Sequence, residues 1–260
     1  MTMISAIHAF RAQLVSGKLC LGASITFSDP TVTEALCDSS DFIWIDTEHK
    51  LMNLDSISGH LIAARACNTA SLVRVPTSAT GYIKNIVDAG ATGIIVPQVR
   101  SADEVKHVVD ACRYPPMGDR GFGPHRASNY GRDMHDLDAY VEKMNKDLFV
   151  SVQIEHMEAY SELDDIVAIP GLDSIVIGPM DLSASMGLLG QMEHPDVIGA
   201  MEHIIDVGHR AGLYIGMGMG TDVDFAQTWD RKGVDWIQVG CDYSYMIQEL
   251  DRTTQAIRHT

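Results

Sequence analysis

Residues 41–49 read DFIWIDTEH, and the run FIWID inside them, residues 42–46, decides the fold. Four of its five residues are apolar, with no polar position alternating between them. A run of strand length without alternation marks a strand covered on both faces, the habit of a parallel sheet. Comparable runs occupy residues 19–25, 71–76, 93–99, 148–155, 174–179, 214–219 and 236–241. Segments of helical period separate several of them. Residues 101–113 open on Ser101 as N-cap with Glu104 three positions on, the pattern of a capping box. Residues 196–211 and 222–232 read the same way. Eight such strands alternating with helices imply a closed (β/α)8 TIM barrel, a single domain over residues 1–260. An open doubly wound sheet is the alternative arrangement of the same elements.

The formal net charge of −16 disfavours partners that need clustered Lys and Arg, nucleic acid above all, and equally an anionic membrane surface. It leaves room for a small anionic substrate, because one arginine reverses the field inside a pocket. The five cysteines, Cys20, Cys37, Cys67, Cys112 and Cys241, are odd in number and contain no CxxC pair. Neither a disulfide framework nor a zinc site is expected, and the expected compartment is a reducing cytoplasm. The first 18 residues are amphipathic and lack the long apolar core of a signal peptide or a membrane span.

In a barrel the chemistry sits at the C-terminal ends of the strands. The second strand ends in Asp46, Glu48 and His49, the third in Arg74, the fifth in Gln153 and Glu155, and the sixth in Asp181. Glu155 and Asp181 are carboxylates at neighbouring strand ends. Hard oxygen donors suit Mg2+ or Mn2+, with water and substrate completing the shell. The same pair also suits an acid/base couple. His49 is placed for proton transfer, with Asp46 or Asp88 as the carboxylate that would fix its tautomer. Arg74 lies in an apolar strand and needs an anionic partner, either a protein carboxylate or a substrate. None of the seven lysines lies inside an expected strand, which removes Schiff-base chemistry from the list. The run GMGMG at residues 216–220 lacks the GxGxxG spacing and reads as a tight strand end at the barrel mouth. The longest connection, residues 114–134, follows Arg113 and carries Arg120, Arg126 and Arg132. It reads either as a lid that collects anionic substrate or as an ordered segment between subunits.

Taken in order, DFIWIDTEH, LVRVP, IVDAGATGIIVPQV, RYPPMGDRGFG, VQIE and IGPMDLSASMG followed by HP resemble the HpcH/HpaI class II pyruvate aldolases. The resemblance runs from about residue 10 to residue 247. It implies a barrel of the phosphoenolpyruvate/pyruvate type that cleaves a 4-hydroxy-2-oxo acid to pyruvate and an aldehyde, or runs the reverse addition. It further implies a divalent cation (Mg2+, Mn2+ or Co2+) on Glu155 and Asp181. His49 is then the base, Asp88 the acid that raises its basicity, and Arg74 the stabiliser of the transition state. Gln153, Met180 and Asp181 contact substrate, with Asp46 and Glu48 behind them. A homo-oligomer is implied, a hexamer built as a trimer of dimers. Two rival readings remain: a citrate-lyase β-subunit-like enzyme using the loop arginines on a CoA thioester, and a non-catalytic module that binds pyruvate or phosphoenolpyruvate. Thr47 and Met180 stand where the family often has Gly and Ala, differences that bear on the aldehyde rather than on the metal.

Overall fold

The computed structural model describes residues 4–50 and 52–258. Eight parallel strands close into a barrel: β1 (Cys20–Ile25), β2 (Phe42–Asp46), β3 (Ala70–Arg74), β4 (Gly93–Val96), β5 (Phe149–Ile154), β6 (Ser174–Ile177), β7 (Tyr214–Met219) and β8 (Trp236–Cys241). Closure is explicit in the β1–β8 ladder, which pairs Cys20 with Trp236 and Gly22 with Gln238 and excludes the open sheet. All eight expected strands are present. The expected runs at residues 71–76, 93–99 and 174–179 continue past their ladders into the loops of the mouth.

The uniform burial of β2 and β5 accounts for their unbroken apolar runs. One face of each strand packs against the helices. The other fills the barrel with Phe42, Trp44, Leu72, Ile95, Phe149, Val176 and Trp236. The N-terminal helix, Ile4–Val15, closes the foot of the barrel, at the N-terminal strand ends. Its Phe10 meets the rings of Phe42 and Phe149 edge-on, both at 5.4 Å. The amphipathic N-terminus is therefore a plug, and truncating a buried aromatic of this kind costs about 3–5 kcal/mol. Gly216 is obligatory for packing, since a Cβ there would lie 2.3 Å from the Trp236 ring.

The Ser101 N-cap forms as expected, its hydroxyl accepting from the Glu104 N–H at 3.2 Å. The capping box is displaced by one residue. The Glu104 carboxylate accepts from the Arg100 N–H at 2.9 Å and the Ser78 hydroxyl at 2.6 Å, because Ser78 arrives from the preceding strand end.

The 114–134 connection does not cover the mouth of its own barrel, which corrects the lid reading. Arg113 is buried against the carbonyls of Asn145, Leu148 and Gly171 and the carboxylate of Asp173, residues that precede or open onto β5 and β6 at the foot. Arg120 pairs with Asp88 at 2.6 Å. Arg126 donates to the carbonyls of Leu61 and Ala89. Each guanidinium is held by chain groups of high sequence separation that no local pattern displays. Of the four arginines, Arg132 is exposed. Three of the four arginines that the CoA-thioester reading draws on are thus committed elsewhere.

Candidate active site

The barrel mouth holds a cavity of about 420 Å3, lined among others by Trp44, His49, Arg74, Gln153, Met180 and Asp181. Period two along a strand explains part of this set. Trp44 and Asp46 share one face of β2, and Gln153 and Glu155 share one face of the β5 end. Register supplies the rest: Asp46 pairs with Arg74 across β2 and β3, and Gln153 with Val176 across β5 and β6.

Arg74 is the centre of the arrangement. Its Nε and Nη2 donate to the two oxygens of Asp46 at 2.9 and 2.8 Å, a bidentate pair. Nη1 donates to Gln153 Oε1 at 3.3 Å and lies 3.1 Å from Glu48 Oε2. The guanidinium also stands over the Trp44 ring at 5.3 Å. Burial alone would lower its pKa; Asp46, Glu48 and Glu155 outweigh burial and hold it above the ordinary value. Asp46 and Glu48 thus fix the guanidinium from behind while it lines the cavity.

Glu155 is almost fully buried. Its Oε1 accepts the Gln98 N–H at 2.7 Å and its Oε2 accepts from Gln153 Nε2 at 3.0 Å. Burial raises its pKa to about 7, with Asp181 and Glu48 adding to the rise and the Gln98 N–H and Arg74 opposing it. Gly178 makes room for this carboxylate, since a Cβ there would meet Glu155 Oε2 at 2.5 Å. Asp181 stands in the first turn of the helix Pro179–Ser185, exposed at the rim. Glu48 is raised in pKa mainly by burial, against the pull of Arg74 and His49. Its buried Oε2 is held by ion pairs, to Arg74 Nη1 at 3.1 Å and to His49 Nε2 at 3.4 Å.

These groups fit a divalent cation. Among the described residues no cluster of three or more His, Cys, Asp and Glu side chains forms a closed cage. A Mg2+-type ion does not need one, since it binds through one or two carboxylates and keeps several waters. The surplus of carboxylates around Glu155 is the environment such an ion neutralises. An all-oxygen donor set suits a hard divalent cation.

His49 lies on the cavity wall with its side chain 58% exposed, so it is open to substrate. Its neighbouring carboxylate within the chain is Glu48, at 3.4 Å. Asp46, one of the two partners expected for it, is engaged by Arg74. The other, Asp88, ends the helix Thr80–Asp88 at the foot, paired with Arg120, and does not meet His49 within one chain. The mouth thus brings together the strand-end residues Asp46, Glu48, His49, Arg74, Gln153, Glu155 and Asp181 with Met180, which the resemblance added, and leaves Asp88 apart. Gln98 was not among the expected residues, because β4 ends in an apolar run with no polar side chain before Pro97; its position, two residues past β4, was the available signal. Also missed were Trp44, which reads as core filler in an apolar strand, and Met192 and Phe225 of the outer wall, which lie on helical and loop segments. Gly218, Met219 and Gly220 line the cavity, as GMGMG implied.

A (β/α)8 barrel with charged groups gathered at the C-terminal ends of its strands has the build of a barrel enzyme, and comparison with known proteins gives its class. The family model HpcH/HpaI aldolase/citrate lyase matches residues 26–248. A hydroxypyruvate/pyruvate aldolase of Roseovarius nubinhibens is 34% identical over 95% of both chains. A 4-hydroxy-2-oxovalerate aldolase of Rhodococcus jostii is 36% identical over 92% of both. The crystal structure of an HpcH/HpaI aldolase from Desulfitobacterium hafniense superposes with a TM-score of 0.90 at 25% identity, over 96% of each chain. The chain belongs to the HpcH/HpaI aldolase/citrate lyase family and is an aldolase, a carbon–carbon lyase.

Proposed function

We propose that this chain is a class II pyruvate aldolase that cleaves a 4-hydroxy-2-oxo acid to pyruvate and an aldehyde, or joins them. The observation that carries the reading is the convergence of Arg74, Gln153 and Asp181 on one cavity with Glu155 buried behind it. Arg74, immobilised by Asp46 and Glu48, holds the pyruvyl oxygens and faces the oxyanion as it develops. The N–H groups of the first turn at Met180 and Asp181, which have no partner within their helix, receive the substrate carboxylate. Gln153 fixes the pyruvyl end. His49 removes the proton from the 4-hydroxyl, the C3–C4 bond breaks, and the aldehyde leaves. The electron pair of that bond passes into the pyruvate enolate, and protonation at C3 gives pyruvate. When held by Glu155 and Asp181, a divalent cation supplies Lewis-acid polarisation of the 2-oxo group.

Asp88 raises the basicity of His49 only if it comes from a second copy of the chain, because its own His49 is at the opposite end of the barrel. The loop beside it presents Met117, Phe122 and Tyr130 to solvent, apolar surface consistent with such an interface. A homo-oligomer, with the hexamer as the family's form, follows from this reading, as does a cytoplasmic setting for a pyruvate enzyme. Among the described residues no helix is long and apolar enough to cross a membrane.

Exchange of the pyruvate methyl protons in D2O tests the half-reaction without knowledge of the aldehyde. Exchange is expected with Mn2+ present and lost in EDTA or in Glu155→Ala, by roughly 10³-fold or more. Undiminished exchange in EDTA would refute the metal-assisted enolate.

A further inference from the structure

Gln98 is one of four described non-glycine residues with a left-handed backbone, at φ +60°. Two of the others are Asn68 and Asn129, a residue type that tolerates this region, and Tyr130 sits in the foot loop before Gly131. Gln98 stands in the mouth, directly on a carboxylate of the site. The β4–β5 ladder ends at Val96 and Val152. Pro97 has no N–H with which to extend it. The next N–H, that of Gln98, donates to Glu155 Oε1 at 2.7 Å.

The side chain shows why glutamine and not glycine stands there. Gln98 Oε1 lies 2.5 Å from His156 Nε2, and His156 is the residue after Glu155. The pair therefore ties the loop after β4 to the loop after β5, one on each side of the carboxylate. Arg100 Nη2 lies 3.5 Å from the same ring nitrogen, and Arg100 is itself braced by Glu158 at 3.0 Å. The tie keeps an unfavourable backbone conformation in place, and that conformation aims the N–H at Glu155. Neither Gln98 nor His156 is needed to complete the barrel, whose ladders end before them.

We propose that Gln98 and His156 are a positioning pair that fixes the orientation of the Glu155 carboxylate and thereby sets the affinity of the mouth for a divalent cation. This rests on the reading of Glu155 as a ligand. Partners that orient a ligand in this way commonly change metal affinity by about 10- to 100-fold when removed.

The test is calorimetric titration of Mn2+ into the purified enzyme and its variants, with thermal unfolding of each variant measured without metal. Gln98→Gly keeps the N–H and adopts the left-handed turn freely, but has no side chain to tie. His156→Ala removes the other half. Each is expected to weaken Mn2+ binding about tenfold while the metal-free unfolding temperature stays within a few degrees. The double variant is expected to be no weaker than either single one, because the two residues act as a unit. His156→Gln keeps a donor near the position of Nε2 and is expected to restore affinity to within about twofold. Turnover of Gln98→Gly should recover at saturating Mn2+, since the pair does not touch substrate. Unchanged Mn2+ affinity in both single variants, or additive losses in the double variant, would overturn the pairing. Glu155→Ala separates this failure from a deeper one. If that variant loses Mn2+ binding while the pair variants do not, the positioning role alone is wrong. If it binds Mn2+ normally, the ligand assignment itself falls.

Discussion

Arg113 at the foot of the barrel and Arg74 at its mouth are both buried guanidiniums that meet carboxylates, and their surroundings differ in kind. Arg113 has one carboxylate, Asp173, and three backbone carbonyls that already needed donors. A second cation, Arg11 of the plug helix, shares Asp173 at 2.9 Å, so no carboxylate is in excess there. Arg74 faces Asp46 and Glu48 directly, with Glu155 acting on it from close by. Carboxylates outnumber the cation, and one of them has its pKa raised to about 7. A chain selected for stability alone would not keep such a surplus, because buried uncompensated carboxylates are destabilising. The foot is built for stability, and the mouth holds an unfavourable arrangement of the kind found at functional sites.

Substitutions at the two arginines should separate the two ends. Arg74→Ala is expected to lower kcat for pyruvate release by about 10²–10³-fold with a smaller effect on the folded fraction, as for loss of a group aimed at developing oxyanion charge. Steady-state rates at saturating metal, read beside circular dichroism, check this; a loss of folding without a loss of kcat would merge the two ends. Arg113→Ala is expected to do the reverse. It should remove about 3 kcal/mol of stability by orphaning carbonyls and weakening a buried pair, while kcat per folded molecule stays within about twofold. The urea midpoint measures the first and active-site-normalised rates the second.

Asp88 crosses the comparison, since it lies at the foot and is assigned to the mouth of another copy. His49→Ala and Asp88→Asn should each lower activity, the first by about 10²-fold or more and the second by about tenfold. Refolded together, they should regain activity, because a mixed interface joins an intact His49 to an intact Asp88. No recovery in a mixture shown to be co-assembled would confine Asp88 to its pair with Arg120.

The smallest expected effect concerns pH. Glu155 titrates near the usual 4.5 when unfolded and at about 7 when folded. Between these values the folded protein holds the proton more tightly, so metal-free stability falls as pH rises through this window. The loss is complete above pH 7 and amounts to at most about 3 kcal/mol. Glu155→Gln carries no such burden. In EDTA its urea midpoint should exceed that of the unaltered protein at pH 8, and the advantage should vanish below about pH 4.5. An equal midpoint at both pH values would mean that the carboxylate is not held against its preference.

The sequence by itself determined the barrel and which charged groups share its mouth. Unbroken apolar runs specify strands buried on both faces, and eight of them alternating with helices leave few closures open. The strand-end rule then delivers Glu155, Asp181, Arg74 and His49, because a parallel barrel sends every C-terminal strand end to one mouth. Only the tertiary structure decided the partners. Asp46 pairing with Arg74 depends on the register of β2 against β3, and the burial of Arg113, Arg120 and Arg126 depends on carbonyls and carboxylates far away in sequence. Asp88, next to the expected base by motif, lies at the opposite end within the chain, since a helix that follows a strand carries its last residue back to the foot. Gln98 is marked only by its position past β4: its N–H is common to every residue but proline, and its side-chain partner His156 is set by the meeting of two loops. Residue type and period fix which elements form and which ends they share; which groups meet at those ends is set by register and by contacts that no local pattern encodes.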